Sequence, residues 1–120
     1  MNVEKLKKGD VMWGTKKDNT KHPIIFIKKL DENRFEACIM STKPVGDNVE
    51  MDSSFFEKEK KKKSYLVTEF RYEKEYEWVK FGEKVNCLTN KGIEFVEKQT
   101  KNTPCIYCPT TIREYKKFKK

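Results

Sequence analysis

Pro23-Ile-Ile-Phe-Ile-Lys-Lys-Leu30, then Asp31-Glu32-Asn33, then Arg34-Phe-Glu-Ala-Cys-Ile-Met-Ser41: this run decides the fold. The first segment is rich in β-branched residues, and its proline stands at the first position, where a missing N–H does least harm to a sheet. Three polar residues make a turn, and the second apolar segment returns. Two such segments joined by a short polar turn predict a β-hairpin over residues 23–41. Outward on the amino-terminal side, Asp10-Val-Met-Trp-Gly14 is a short apolar strand that opens after Gly9, followed by a polar loop over 15–21. On the other side, Lys43-Pro44-Val45-Gly46-Asp47-Asn48 breaks the pattern, and residues 49–51 predict a brief strand.

Further along, Tyr65-Leu-Val-Thr-Glu-Phe-Arg-Tyr72 alternates as one strand, and Trp78-Val79-Lys80-Phe81 precedes a turn expected at Gly82. After residues 85–88, Thr89 stands where a helix N-cap belongs. Ile93 and Val96, with Phe95 or Gln99, define one face of a helix of about ten residues. Gly92 in its first turn counts against that helix by up to about 1 kcal/mol relative to alanine. Five to seven short strands and one C-terminal helix predict a mainly β fold, a small curled barrel with the helix packed on it. Closing the sheet would remove most exposed edges. Residues 1–112 are expected to form this single barrel domain, with a basic loop at 57–64 and a basic tail at 113–120.

The composition agrees with one small, heavily solvated domain: 120 residues, 36% hydrophobic and 38% charged. The longest apolar run, residues 23–27, is far short of the roughly 20 residues that span a membrane, and the amino terminus has no apolar signal core. No membrane association and a cytoplasmic location are the expectations. The 27 Lys+Arg against 19 Asp+Glu give a net charge of +8, and the excess is local. Residues 57–63 hold five lysines against two glutamates, and the tail holds five basic residues against one acidic. Clustered lysine neutralises phosphates and releases counterions, which makes nucleic-acid binding fall steeply with salt. The same clusters also suit a solvated loop and tail. With only three arginines, Arg34, Arg71 and Arg113, the surface favours point-charge contacts to phosphate over bidentate reading of guanine, so sequence-specific duplex DNA recognition loses ground.

Four cysteines, at 38, 87, 105 and 108, in a chain without an export signal point to reduced thiols. Cys105 and Cys108 have the spacing of half a zinc site, but Cys38, Cys87 and His22 are all isolated as further donors. No metal and no cofactor are expected; Cys38 and Cys87 read as small buried residues, and the 105/108 pair as a loop between Pro104 and Pro109. No nucleophile elbow, P-loop, dinucleotide fingerprint or carboxylate–histidine metal pair is present.

One ordered set of motifs remains. Gly9-Asp10-Val11-Met12-Trp13, a polar loop, Lys21-His22-Pro23-Ile24-Ile25-Phe26, a strand ending Ser41-Thr42, then Tyr65-Leu66-Val67 and a late helix together resemble the PemK/MazF-like toxins over roughly residues 8–100. The resemblance implies an SH3-like barrel, usually a homodimer, that cuts single-stranded RNA without metal and is neutralised by an acidic antitoxin. It also implies site residues. His22 takes the place of the arginine that family members carry before the proline, and Thr42 takes that of the hydroxyl residue closing the next strand. Metal-free RNA cleavage needs a base for the 2′-hydroxyl, an acid for the leaving oxygen and donors for the charged phosphorane. An imidazole titrating near neutrality can serve as either base or acid. Lys21 and Lys43 would clamp phosphate, with Lys16, Lys17 and Trp13 completing an RNA-binding set. Each has a plainer reading as well: a capping histidine, a turn threonine, solvated lysines and a core tryptophan. A non-catalytic barrel that binds nucleic acid or a protein partner, such as a phage or mobile-element accessory protein, is the alternative.

Overall fold

The computed structural model describes residues 6–15, 21–44, 46–59, 62–69, 71–75 and 79–107, with backbone alone at 14–15, 21–22, 72, 74–75, 79–83 and 106–107. The predicted hairpin is its centre. β1 (Asp10–Thr15), β2 (Lys21–Lys29) and β3 (Arg34–Ser41) form an antiparallel meander, with Ile24 opposite Ile39 and Val11 opposite Ile25. The turn between β2 and β3 is made by the Asp31 carboxylate, which accepts the backbone N–H groups of Asn33 and Arg34 at 2.8 and 2.9 Å. Then come β4 (Val49–Met51), a single 3-10 turn at Ser53–Phe55, β5 (Ser64–Leu66), β6 (Arg71–Glu75), β7 (Val79–Cys87), helix α1 (Asn90–Gln99) and β8 (Cys105–Tyr107). The sheet runs β4-β5-β3-β2-β1-β7, with β6 beside β5 along the same edge of β3 and β8 parallel to β6.

The two ends of that path are drawn together after β4. Phe56 bridges Leu88, Glu57 N–H donates to Cys87 C=O at 2.9 Å, and Thr89 N–H donates to Phe55 C=O at 2.9 Å. The result is a mainly β, curled half-barrel with one late helix, as the sequence predicts. Both faces of the central strands are buried. One carries Val11, Ile25, Ile27, Cys38 and Met40 into a cluster with Met51, Phe56, Leu66, Leu88 and Val96. The other buries Met12, Ile24, Phe26, Phe35, Ala37 and Ile39, where the Phe26 and Phe35 rings stack with centroids 5.6 Å apart. Burial on both faces is why β3 reads as a nearly unbroken apolar run.

Thr89 caps α1 as expected, its hydroxyl accepting Gly92 N–H at 3.2 Å. Ile93, Phe95 and Val96 face the core, and the Phe95 ring sits 4.6 Å from that of Phe55. At the start of β1, Gly9 adopts φ +96°, a conformation only glycine takes cheaply. There its N–H donates to Phe26 C=O and its C=O accepts Leu88 N–H. Asp10 is buried beside it, accepting Lys7 N–H at 2.9 Å and pairing with Lys84 Nζ at 3.1 Å. The Gly-Asp opening is thus a structural corner that ties β1 to β2 and to the end of β7.

Three local expectations are corrected. Gly82 does not turn the chain; it lies within β7, where the register against β1 shifts between Met12 and Gly14, so the glycine accommodates an irregular strand. The strand expected over 65–72 is split into β5 and β6, because β3 offers only Cys38 and Ile39 to the five residues between Leu66 and Tyr72, and Thr68 and Glu69 belong to neither strand. Residues 105–107 form a strand on β6 in place of a loop, since the edge of β6 supplies backbone partners that a local reading does not see. Among the described residues no helix is long and apolar enough to cross a membrane.

Candidate nucleic-acid interface

Antiparallel pairing gathers four chain segments at one end of the sheet. Gly14 lies opposite His22 and Thr15 opposite Lys21, so β1 ends where β2 begins. β3 ends at Ser41, beside Tyr65 of β5, whose first residue, Ser64, pairs with Met51 of β4. Positions 21–22, 41–43 and 62–64 therefore belong to the same end. The residues singled out on either side of the hairpin, His22 with Lys21 and Thr42 with Lys43, occupy the start of β2 and the first residues beyond β3. Thr42 and Lys43 are exposed. The turn they begin is shaped locally: Ser41 Oγ accepts Lys43 N–H at 3.1 Å, and Asn48 Nδ2 donates to Lys43 C=O at 3.2 Å. Trp13, half-buried on β1, lies opposite Pro23. The side chains of Lys21 and His22, and all of Lys16, Lys17, Cys108 and the 113–120 tail, lie outside the described residues.

The pairing of β5 on β3 brings to this end residues about twenty positions further along the chain. Lys62 and Lys63 are exposed immediately before Ser64, and Lys63 Nζ is 3.5 Å from Glu50 Oε1 across the β4–β5 pair. The lysine run is visible in the sequence; its neighbour across the sheet depends on long-range register and is not.

A second polar cluster lies along the β2, β3, β6 and β8 strands. Glu36, 5% exposed, is held by Arg71 Nη1 at 3.1 Å and by Lys28 Nζ at 3.6 Å. Arg71 Nε donates to the Thr100 hydroxyl at 2.9 Å, and that hydroxyl donates to Val96 C=O at 2.8 Å, fastening the end of α1 to the sheet. At the rim Arg34 bridges Asp31 and Glu73. Among the described residues, Glu36, Arg71, Lys28, Arg34, Asp31 and Glu73 are paired with one another, so the cluster acts as a brace.

Cys38 is buried as expected, whereas Cys87 is only half-buried, at the end of β7, and Cys105 is exposed. Burial pushes the Cys38 thiol up to about 12, and Cys87 is held above its ordinary value because its Sγ–H donates to Glu57 Oε2 at 2.6 Å. Neither is a thiolate at neutral pH. Among the described residues no group of three or more His, Cys, Asp or Glu side chains is arranged to hold a metal ion.

No protein-family model matches the chain, and comparison with curated proteins gives no match. The functional reading therefore stands on the sheet-end arrangement and the chemistry of its residues.

Proposed function

We propose that the protein engages single-stranded RNA at this end of the sheet and cleaves it without a metal ion, as a PemK/MazF-like toxin would. The supporting observation is the antiparallel β2–β3 register, Ile24 opposite Ile39, which brings the start of β2, carrying Lys21 and His22, to the end where Thr42 and Lys43 leave β3. In this reading neutral His22 accepts the proton of a ribose 2′-hydroxyl as that oxygen attacks the adjacent phosphorus. The P–O5′ bond then breaks, and the imidazolium returns the proton to the departing 5′-oxygen, leaving a 2′,3′-cyclic phosphate and a 5′-hydroxyl. Lys21 and Lys43 bind the phosphate, and Thr42 supplies a hydroxyl donor to the charged phosphorane. Lys16 and Lys17 extend the phosphate contacts, and Trp13 offers an aromatic face to a base. Toxins of this kind act in the cytoplasm as homodimers and need neutralising; an acidic antitoxin suits a chain of net charge +8.

The test is incubation of the purified protein with single-stranded RNA in EDTA, beside His22→Ala. Cleavage by wild type alone, with cyclic phosphate ends, is expected; intact RNA with both refutes the nuclease reading. A binding-only barrel is the second reading, favoured by the replacement of the family's arginine with the single histidine of the chain. Retained, steeply salt-dependent binding with no cleavage would select it.

A further inference from the structure

The basic segment 57–63 is anchored at both feet. At its start the buried Asn86 side chain works as a clamp: Oδ1 accepts Lys58 N–H at 2.9 Å and Nδ2 donates to Lys58 C=O at 3.1 Å. Glu57 is held there too, through its N–H to Cys87 C=O and through its carboxylate, which accepts the Cys87 thiol. At its end, buried Ser64 pairs with Met51. Lys62 and Lys63 are exposed just before that second foot, while Lys43 is exposed two residues beyond Ser41. Because Ser41 lies opposite Tyr65 in an antiparallel pair, Lys43 and Lys63 leave their strands at the same end.

From this juxtaposition we infer that Lys62 and Lys63 form, with Lys43, a phosphate-binding rim that carries the backbone of single-stranded RNA away from the Thr42 turn. The inference rests on the RNA-binding reading above and assigns Lys62 and Lys63 to the same site. Anchoring both feet lowers the ordering cost of binding. Lys62 and Lys63 act as point charges on phosphate oxygens without base preference. Lys63 is shared with Glu50 at 3.5 Å, so the RNA must compete with that carboxylate.

The experiment is fluorescence anisotropy of a labelled oligouridylate, titrated across a salt series. Wild type is compared with Lys62→Gln/Lys63→Gln and with Glu50→Gln, all checked for an unchanged melting temperature. Losing two phosphate contacts on a single strand should flatten the slope of log K against log salt by about 1.4. Freeing Lys63 should tighten low-salt binding by about twofold to fivefold, the range of an exposed ion pair. Wild-type binding with the double variant unchanged in slope and affinity overturns the rim alone, and a Lys21→Gln variant that loses affinity in the same series then places the RNA on the other side of the site. An absence of wild-type binding overturns the rim together with the RNA reading.

Discussion

Replacing Gly92 with alanine should destabilise the protein, although helix propensity by itself says the opposite. In an unconstrained helix the change gains up to about 1 kcal/mol. Here the added Cβ would lie 2.4 Å from the Phe55 carbonyl oxygen and 3.0 Å from Phe55 Cβ, about 1 Å inside ordinary contact with the oxygen. The nearest atom is backbone, so no rotamer change relieves the clash; α1 must move off the Ser53–Phe55 turn. Overpacking of this kind costs about 1–3 kcal/mol. The displaced oxygen also accepts Thr89 N–H at 2.9 Å, and weakening that bond adds about 1 kcal/mol. Set against the propensity gain, the net loss is about 1–3 kcal/mol, a fall in Tm of roughly 4–12 °C for a domain of this size. Urea unfolding followed by circular dichroism measures it, with Glu94→Ala on the exposed side of the same helix as a control expected to change stability by under about 0.5 kcal/mol. A Gly92→Ala protein as stable as wild type, or more so, would refute the close packing of α1 on the turn.

Arg71→Met leaves Glu36 buried with only Lys28 nearby, and should cost about 3 kcal/mol in urea unfolding; adding Glu36→Gln should restore most of the loss. Cys38 should resist a thiol reagent in the native protein and react only as fast as the molecule unfolds, while the exposed Cys105 reacts at once; equal rates would contradict the burial. Because the folded Cys38 thiol stays protonated to about 12 and an unfolded thiol ionises from about 8.5, stability should decline as pH rises above that lower value. Asp31 is held below its ordinary value, chiefly by its bond to the Arg34 side chain and then by Asn33 N–H. Its contribution should therefore be present above about pH 4 and lost as pH falls below, and Asp31→Asn should flatten that part of the acid limb of the urea midpoint.

The elements legible in the sequence are those fixed by neighbours in the chain. The hairpin is written in two apolar strands around Asp31-Glu32-Asn33, and α1 in the Thr89 cap and the spacing of Ile93 and Val96. Residues governed by distant partners read differently. Gly92 looks like a weak point of a helix until the approach of Phe55 shows why a side chain cannot stand there. Gly82 resembles a turn, but the pairing of β7 with β1 carries the strand through it. Glu36, in an apolar strand, is intelligible only with Arg71 and Lys28 in place. The candidate site is divided in the same way: His22 and Thr42 stand out through the chemistry of their motifs, whereas the place of Lys62 and Lys63 beside Lys43 depends on β5 choosing the edge of β3.

Amide-resolved NMR of the labelled protein during titration with a single-stranded oligouridylate tests the RNA-binding account most directly. The largest shift changes should fall at residues 21–22, 41–43 and 62–65, with the Asp31-Glu32-Asn33 turn at the far end of the hairpin unaffected. Spectra that do not change, or changes confined to that far turn, would contradict it.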